Sequence, residues 1–157
     1  MSRLVDELPT EVRDTIHKHE EAGTTDDPAY QRAMLAFYRR HVCRVDPWPD
    51  CINRAFEKLG QNPEVYNTMW GPSEFCATGV LKDWDIVGRL TEIHAPTLIT
   101  SGRYDEVTPV VVETVHRGIP GSKWVIFEES SHTSQVEEPQ RYRRVLEEFL
   151  NKIEAEA

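Results

Sequence analysis

Two short β-rich runs set the strongest constraint on this chain. They are Pro96-Thr97-Leu98-Ile99-Thr100-Ser101-Gly102 and Lys123-Trp124-Val125-Ile126-Phe127, each bounded by turn residues. Between them, Pro109 to His116 is compatible with a helix, and Gly118, Pro120 and Gly121 make a turn. From Glu138-Pro139 onward, Tyr142, Val145, Leu146, Phe149, Leu150 and Ile153 recur at helical spacing. The order β-α-β-α predicts parallel strands joined by a right-handed crossover. Parallel strands are normally buried on both faces within a larger sheet, and two strands do not make one. The pattern therefore predicts the end of an α/β fold whose earlier strands are missing.

Residues 1–90 read differently, as helices. Thr10 can cap a helix that starts at Glu11 and ends at Gly23. Asp27-Pro28 is a cap followed by proline at the first helical position, and Ala33, Met34, Phe37, Tyr38 and His41 follow at helical spacing. Pro47-Trp48-Pro49 breaks the chain. A helix is expected from Asp50 to Leu59, closed by Gly60, and another from Pro63 to Met69, ended by Trp70-Gly71-Pro72. The predicted organisation is a helical region over 1–90 and a βαβα region over 91–157.

The charge balance narrows the function classes. With 18 Lys and Arg against 27 Asp and Glu, the net charge is −9. Phosphate binding needs a basic face, so nucleic acid is not an expected partner, and an anionic membrane surface is disfavoured too. No apolar run approaches the roughly 18 residues that span a bilayer, and Met1 to Glu7 lacks a signal-peptide core. Cys43, Cys51 and Cys76 are odd in number and have no CxxC spacing, which predicts reduced thiols in a cytoplasmic protein. No metal site is expected. His17 and His19 are two apart on a helix and face different sides, and His19-Glu20-Glu21-Ala22-Gly23 is not the zinc motif HExxH. No cofactor is expected either. Phe37, Tyr38, Trp48, Tyr66, Trp70, Phe75 and Trp84 are expected mostly in core packing.

In an open parallel sheet, ligands sit at the carboxyl ends of the strands. After the first strand comes Arg103-Tyr104-Asp105-Glu106-Val107-Thr108, and after the second comes Glu128-Glu129-Ser130-Ser131-His132-Thr133. Parallel strands would deliver Asp105 and His132 to one rim. There a carboxylate can accept the imidazole Nδ1–H, fix the tautomer and stabilise the imidazolium. Asp before His is the order of an α/β-hydrolase triad.

The run from Ile93 to Pro109, with Ser101-Gly102-Arg103-Tyr104-Asp105-Glu106, resembles the α/β-hydrolase segment around the triad acid. Ser131-His132, followed by Glu138-Pro139 and the helix ending Phe149-Leu150, resembles the triad-histidine segment. Asp105-Glu106 and Trp70-Gly71-Pro72-Ser73-Glu74-Phe75 are similar to motifs of the proline iminopeptidases, serine aminopeptidases with a helical cap over the site. The resemblance spans nearly the whole chain. It implies a cap over 1–90, an α/β-hydrolase C-terminal portion over 91–157, and catalytic roles for Asp105 and His132. It also implies that Glu74 and Glu106 bind the substrate's free α-amino group, with proline favoured as the residue released. Carboxylates in a partly dry pocket would recognise that ammonium through charge-assisted hydrogen bonds. A substrate lacking it would bring them no counter-charge, at a cost of about 2–5 kcal/mol. Trp70 and Phe75 would border an apolar pocket for the substrate's first residue.

One part of the pattern is missing. The fold carries its nucleophile on a G-x-S-x-G elbow, and neither that motif nor a His-Gly-Gly oxyanion loop occurs in this sequence. Ser101 precedes the acid, and Ser130 and Ser131 lack the elbow glycines. The chain alone is therefore expected to be inactive as a peptidase, its nucleophile half lying outside the sequence through a split gene, an internal start or truncation. Expected partners are a small peptide or amino-acid amide substrate, and an N-terminal α/β-hydrolase fragment or a second copy that covers the open sheet edge. Two other readings stand beside this one. The first is a non-catalytic interaction module derived from a hydrolase, and the second is an esterase or amidase of the same superfamily.

Overall fold

The computed structural model describes residues 2–156, which fall into two compact units. The first runs to Arg40 and resumes from Val45 to Trp84. The second comprises His41–Arg44 and the chain from Asp85 onward.

The first unit is helical: α1 (Ser2–Asp6), α2 (Thr10–Ala22), α3 (Pro28–His41), α4 (Asp50–Gln61) and α5 (Glu64–Met69). Only the last residue of α3 belongs to the second unit. Gly23 ends α2 in the left-handed region at φ 64°, as its sequence position predicts. Thr10 does not cap that helix. Pro9 takes the cap position, its carbonyl accepting from the Val12 and Arg13 amides, and Thr10 is the first helical residue. Asp27 does cap α3, its carboxylate accepting the Ala29 N–H at 2.7 Å. Gly60 does not close α4, which runs one residue further. A glycine inside an exposed last turn costs only about 1 kcal/mol, and the stop comes with Pro63.

The core of this unit includes Ile16, Tyr30, Ala33, Phe37, Tyr38 and Ile52. A run of ring contacts passes from Trp48 through Phe56, Tyr38, Phe37 and Phe75 to Tyr30, the Phe37–Phe75 centroids lying 4.6 Å apart. Trp84, expected in the core, is 64% exposed.

The second unit holds a 3₁₀ turn (Val87–Glu92), then β1 (Leu98–Gly102), α6 (Pro109–Gly118), β2 (Lys123–Phe127), α7 (Ser134–Glu137) and α8 (Pro139–Glu156). The strands pair in parallel, Leu98 opposite Lys123 and Gly102 opposite Phe127. The 3₁₀ turn and α7 were not legible as separate elements, because neither is long enough to show a period. Leu90 of the turn is buried, and its side chain occupies the space that a Cβ on Gly118 would need. Phe127 is fully buried, with the Tyr142 ring 5.5 Å away and the Arg141 guanidinium 4.8 Å over its face. Within α8 no residue is fully buried, and Leu146 and Leu150 of its apolar stripe are exposed.

Beyond the strand ends the two loops stay together. The Arg103 N–H donates to the Phe127 carbonyl and the Tyr104 N–H to the Ser130 carbonyl. Gly102 makes this possible. A Cβ there would fall on the carbonyl oxygens of Ser130 and Ser131, which are backbone and cannot rotate away. Glu137 and Glu138 anchor the second loop from below. Glu138 accepts from the Ser130 hydroxyl at 2.6 Å and the Glu129 N–H at 3.2 Å, and Glu137 accepts from the Ser131 N–H and hydroxyl, both at 2.8 Å. Burial pushes the Glu138 carboxyl up, but hydrogen bonds from Ser130, Arg141 and the Glu129 amide outweigh it and hold the group below its ordinary value.

Two outcomes follow for stability. Gly102→Ala is expected to lower unfolding stability by about 1–3 kcal/mol, read as a lower urea midpoint; an unchanged midpoint would show that the loop yields freely. Glu138 has a depressed folded pKa, so its contribution is present above the ordinary value of 4.5 and fades as pH falls through the lower folded value. Glu138→Gln is expected to flatten the loss of stability measured below that pH. An identical acid limb in the variant would assign the loss to other groups.

Candidate active site

The loops after β1 and β2 converge on one pair of side chains. The His132 Nδ1 lies 2.9 Å from the Asp105 Oδ1. Asp105 is almost wholly buried, whereas the His132 side chain is 48% exposed. A buried acid gripping an open imidazole holds the ring by one edge. An ionised carboxylate only accepts, so Nδ1 carries the proton, and in the neutral ring Nε2 is the basic nitrogen. The same Asp105 oxygen accepts the Val107 N–H at 2.9 Å, which fixes the carboxylate on its own loop.

Glu106 adds a second acid. It is also buried, with Oε1 3.9 Å from the His132 Nδ1. Two neighbouring carboxylates at one imidazole concentrate negative charge where a cation would be stabilised.

The fourth sequence-predicted residue, Glu74, belongs to the first unit. It sits half-buried in a turn tied on several sides. The Trp70 indole N–H donates to the Glu74 carbonyl at 3.1 Å, and Ser73 and Cys76 form an antiparallel bridge. The fully buried Ser73 hydroxyl accepts from the Tyr30 hydroxyl at 2.9 Å. Gly71 permits the turn: its φ is 145°, and a Cβ would meet the Cys76 carbonyl. Asp105, Glu106 and His132 are thus brought together within one unit, and Glu74 is held in the other.

The serines near the strand ends are taken up by other contacts. Ser130 and Ser131 are fully buried and donate to Glu138 and Glu137, so they serve the loop. Ser101 accepts the Trp124 indole N–H at 3.0 Å. Burial, with the Glu20 carboxylate second, pushes the Cys76 thiol up to about 11, which keeps it protonated and unreactive at neutral pH. Among the described residues no disulfide forms and no group of three or more His, Cys, Asp or Glu is placed to hold a metal ion. No helix among them is long and apolar enough to cross a membrane.

Sequence reasoning missed the supports of this pair. Glu137 was not singled out, and His41 was read only as part of a helical stripe. The carbonyl of His41 accepts the amides of both Glu106 and His132, a role carried by backbone that leaves no trace in residue type.

The chain matches no protein-family model. It is 41% identical over 153 residues to the proline iminopeptidase of Saccharolobus solfataricus, covering 98% of this chain and 49% of that protein. To the proline iminopeptidase of Thermoplasma volcanium it is 41% identical over 152 residues, covering 97% and 51%. Among solved structures, VinJ superposes with a TM-score of 0.92 at 42% identity, over 96% of this chain and 51% of that one. The proline iminopeptidase of Mycobacterium smegmatis gives a TM-score of 0.83 at 39% identity, over 96% and 50%. The chain spans about half the length of the curated relatives it matches, and the matched part of the structural neighbours is their C-terminal half. The βαβα end, the helices before it and these likenesses agree: the chain has the fold of the C-terminal portion of an α/β-hydrolase and is similar over nearly its whole length to proline iminopeptidases.

Proposed function

We propose that this chain supplies the acid–base half of a serine aminopeptidase that releases N-terminal residues, proline favoured, from small peptides. The observation that carries the reading is the 2.9 Å contact between buried Asp105 and half-exposed His132 at the carboxyl ends of two parallel strands. In this mechanism His132 Nε2 takes the proton of a serine hydroxyl as that oxygen attacks the scissile carbonyl, then returns it to the leaving amine. Asp105 holds the tautomer and stabilises the imidazolium. Glu106 and Glu74 receive the substrate's α-ammonium. The serine and the oxyanion donors come from polypeptide outside this chain. The open edges of a two-stranded sheet and the exposed Val110, Val111, Leu146 and Leu150 favour association with an N-terminal α/β-hydrolase half.

Mixing the chain with such a half and assaying a prolyl-arylamide tests the reading directly. Activity is expected only in the mixture, and Asp105→Asn is expected to lower kcat on the order of 10³–10⁴-fold. Association without turnover by the unaltered chain would remove the catalytic assignment and leave the interaction module. The ammonium role is checked by comparing a free-amine substrate with its N-acetylated form. The preference for the free amine is expected to be about 2–5 kcal/mol and to collapse in Glu106→Gln and in Glu74→Gln. A ratio of kcat/KM values that neither substitution moves would point instead to an esterase or amidase.

A further inference from the structure

We propose that His41 is a positioning residue for the acid–base pair, clamping the acid loop to the histidine loop through its carbonyl and its buried ring at once. The inference rests on the reading of Asp105 and His132 as that pair.

The strand ladder alone does not reach the pair. Its last cross-loop bond is the Tyr104 N–H to the Ser130 carbonyl. Past that point the His41 carbonyl takes over, accepting the Glu106 N–H and the His132 N–H, both at 3.2 Å. One oxygen therefore joins the two loops at the residue after the acid and at the histidine itself. The His41 ring adds a third tie. Its Nδ1 lies 2.9 Å from the Tyr104 carbonyl, and since a carbonyl only accepts, Nδ1 is the donor. Tyr104 and Glu106 flank Asp105, so His41 holds the acid loop on both sides of the carboxylate. His41 is 7% exposed, so competition from water for this bond is slight.

The residues that follow extend the clamp. The Val42 carbonyl accepts the Thr133 N–H at 3.1 Å and its hydroxyl at 2.9 Å. The Arg44 N–H donates to Glu137, which also holds Ser131, and the Arg44 guanidinium lies 3.7 Å over the Tyr104 ring. His41–Arg44 is thus a strap across both loops, and His41 makes three of its hydrogen bonds. Removing the ring's donor frees Tyr104 and lets the His41 carbonyl swing. The expected consequence is a looser His132–Asp105 bond with the fold retained.

The test reads that bond in the full chain and needs no turnover. In ¹⁵N-histidine-labelled protein, the proton between His132 Nδ1 and Asp105 is followed by NMR for its low-field resonance and its exchange with solvent. His41→Phe keeps the volume and removes the donor, and is expected to speed that exchange by about tenfold or more. His41→Asn places an amide N–H where Nδ1 stood and is expected to restore protection to within about threefold. Val112→Ala, a buried change on α6, serves as a control for general loss of stability and is expected to leave the exchange unchanged. Wild-type protection in His41→Phe overturns the proposal, and so does an equal loss in Val112→Ala. Should His41→Phe fail to fold, His41→Gln replaces it, since its amide matches Nε2 rather than Nδ1; equal protection in the Gln and Asn variants overturns the proposal. A protected proton in a reconstituted enzyme without activity would count against the peptidase reading and not against the clamp.

Discussion

The parallel pairing of β1 with β2 is the constraint on which the candidate site depends. Because both strands end at the same level, the loops that follow them leave from one rim. Here the register runs from Leu98 opposite Lys123 to Gly102 opposite Phe127. A slip by one residue would turn Gly102 away from Ser130 and Ser131 and put a side chain where their carbonyls lie. The close loop contact, the buried carboxylate and the half-open imidazole all follow from that alignment.

The second unit is unusual in how much of its interior is polar. Beside Val42, Cys43, Leu90, Val112, Ile119 and Phe127, it buries His41, Ser101, Asp105, Glu106, Ser130, Ser131 and Ser134. Apolar packing holds the strands and helices. The rim is held by directional bonds, which fix atoms more precisely than area burial does and fail more sharply when one partner is lost. That division suits a site whose purpose is to hold an imidazole at a defined angle.

Much of this was legible in the sequence, for particular reasons. The β-rich runs and the Gly and Pro residues around them marked strands and turns, and the order β-α-β-α implied parallel pairing. Asp105 and His132 could be read because each follows a strand end. The helices of the first unit were legible through Gly23 and Asp27-Pro28. What was not legible depended on backbone. The capping carbonyl of Pro9, the short α7 and the shared carbonyl of His41 are set by chain direction, to which residue type contributes nothing. Ser130 and Ser131 were visible as hydroxyls, but their service to Glu137 and Glu138 needed the turn through α7 to bring the acids round.

The strap has a bearing on how such a protein can be divided. Its residues, His41–Arg44, lie between two stretches of the helical unit, yet they belong by contact to the unit that begins again at Asp85. A piece cloned from Asp85 onward would keep both strands, the acid and the histidine. It would leave behind the oxygens that receive the amides of Glu106, His132 and Thr133. Each amide stranded away from water costs about 1–3 kcal/mol. The end that carries the acid and the histidine is thus not a detachable cassette. Deleting or exchanging the helical segment wholesale, in the laboratory or by recombination, would strip four residues whose backbone holds the retained rim.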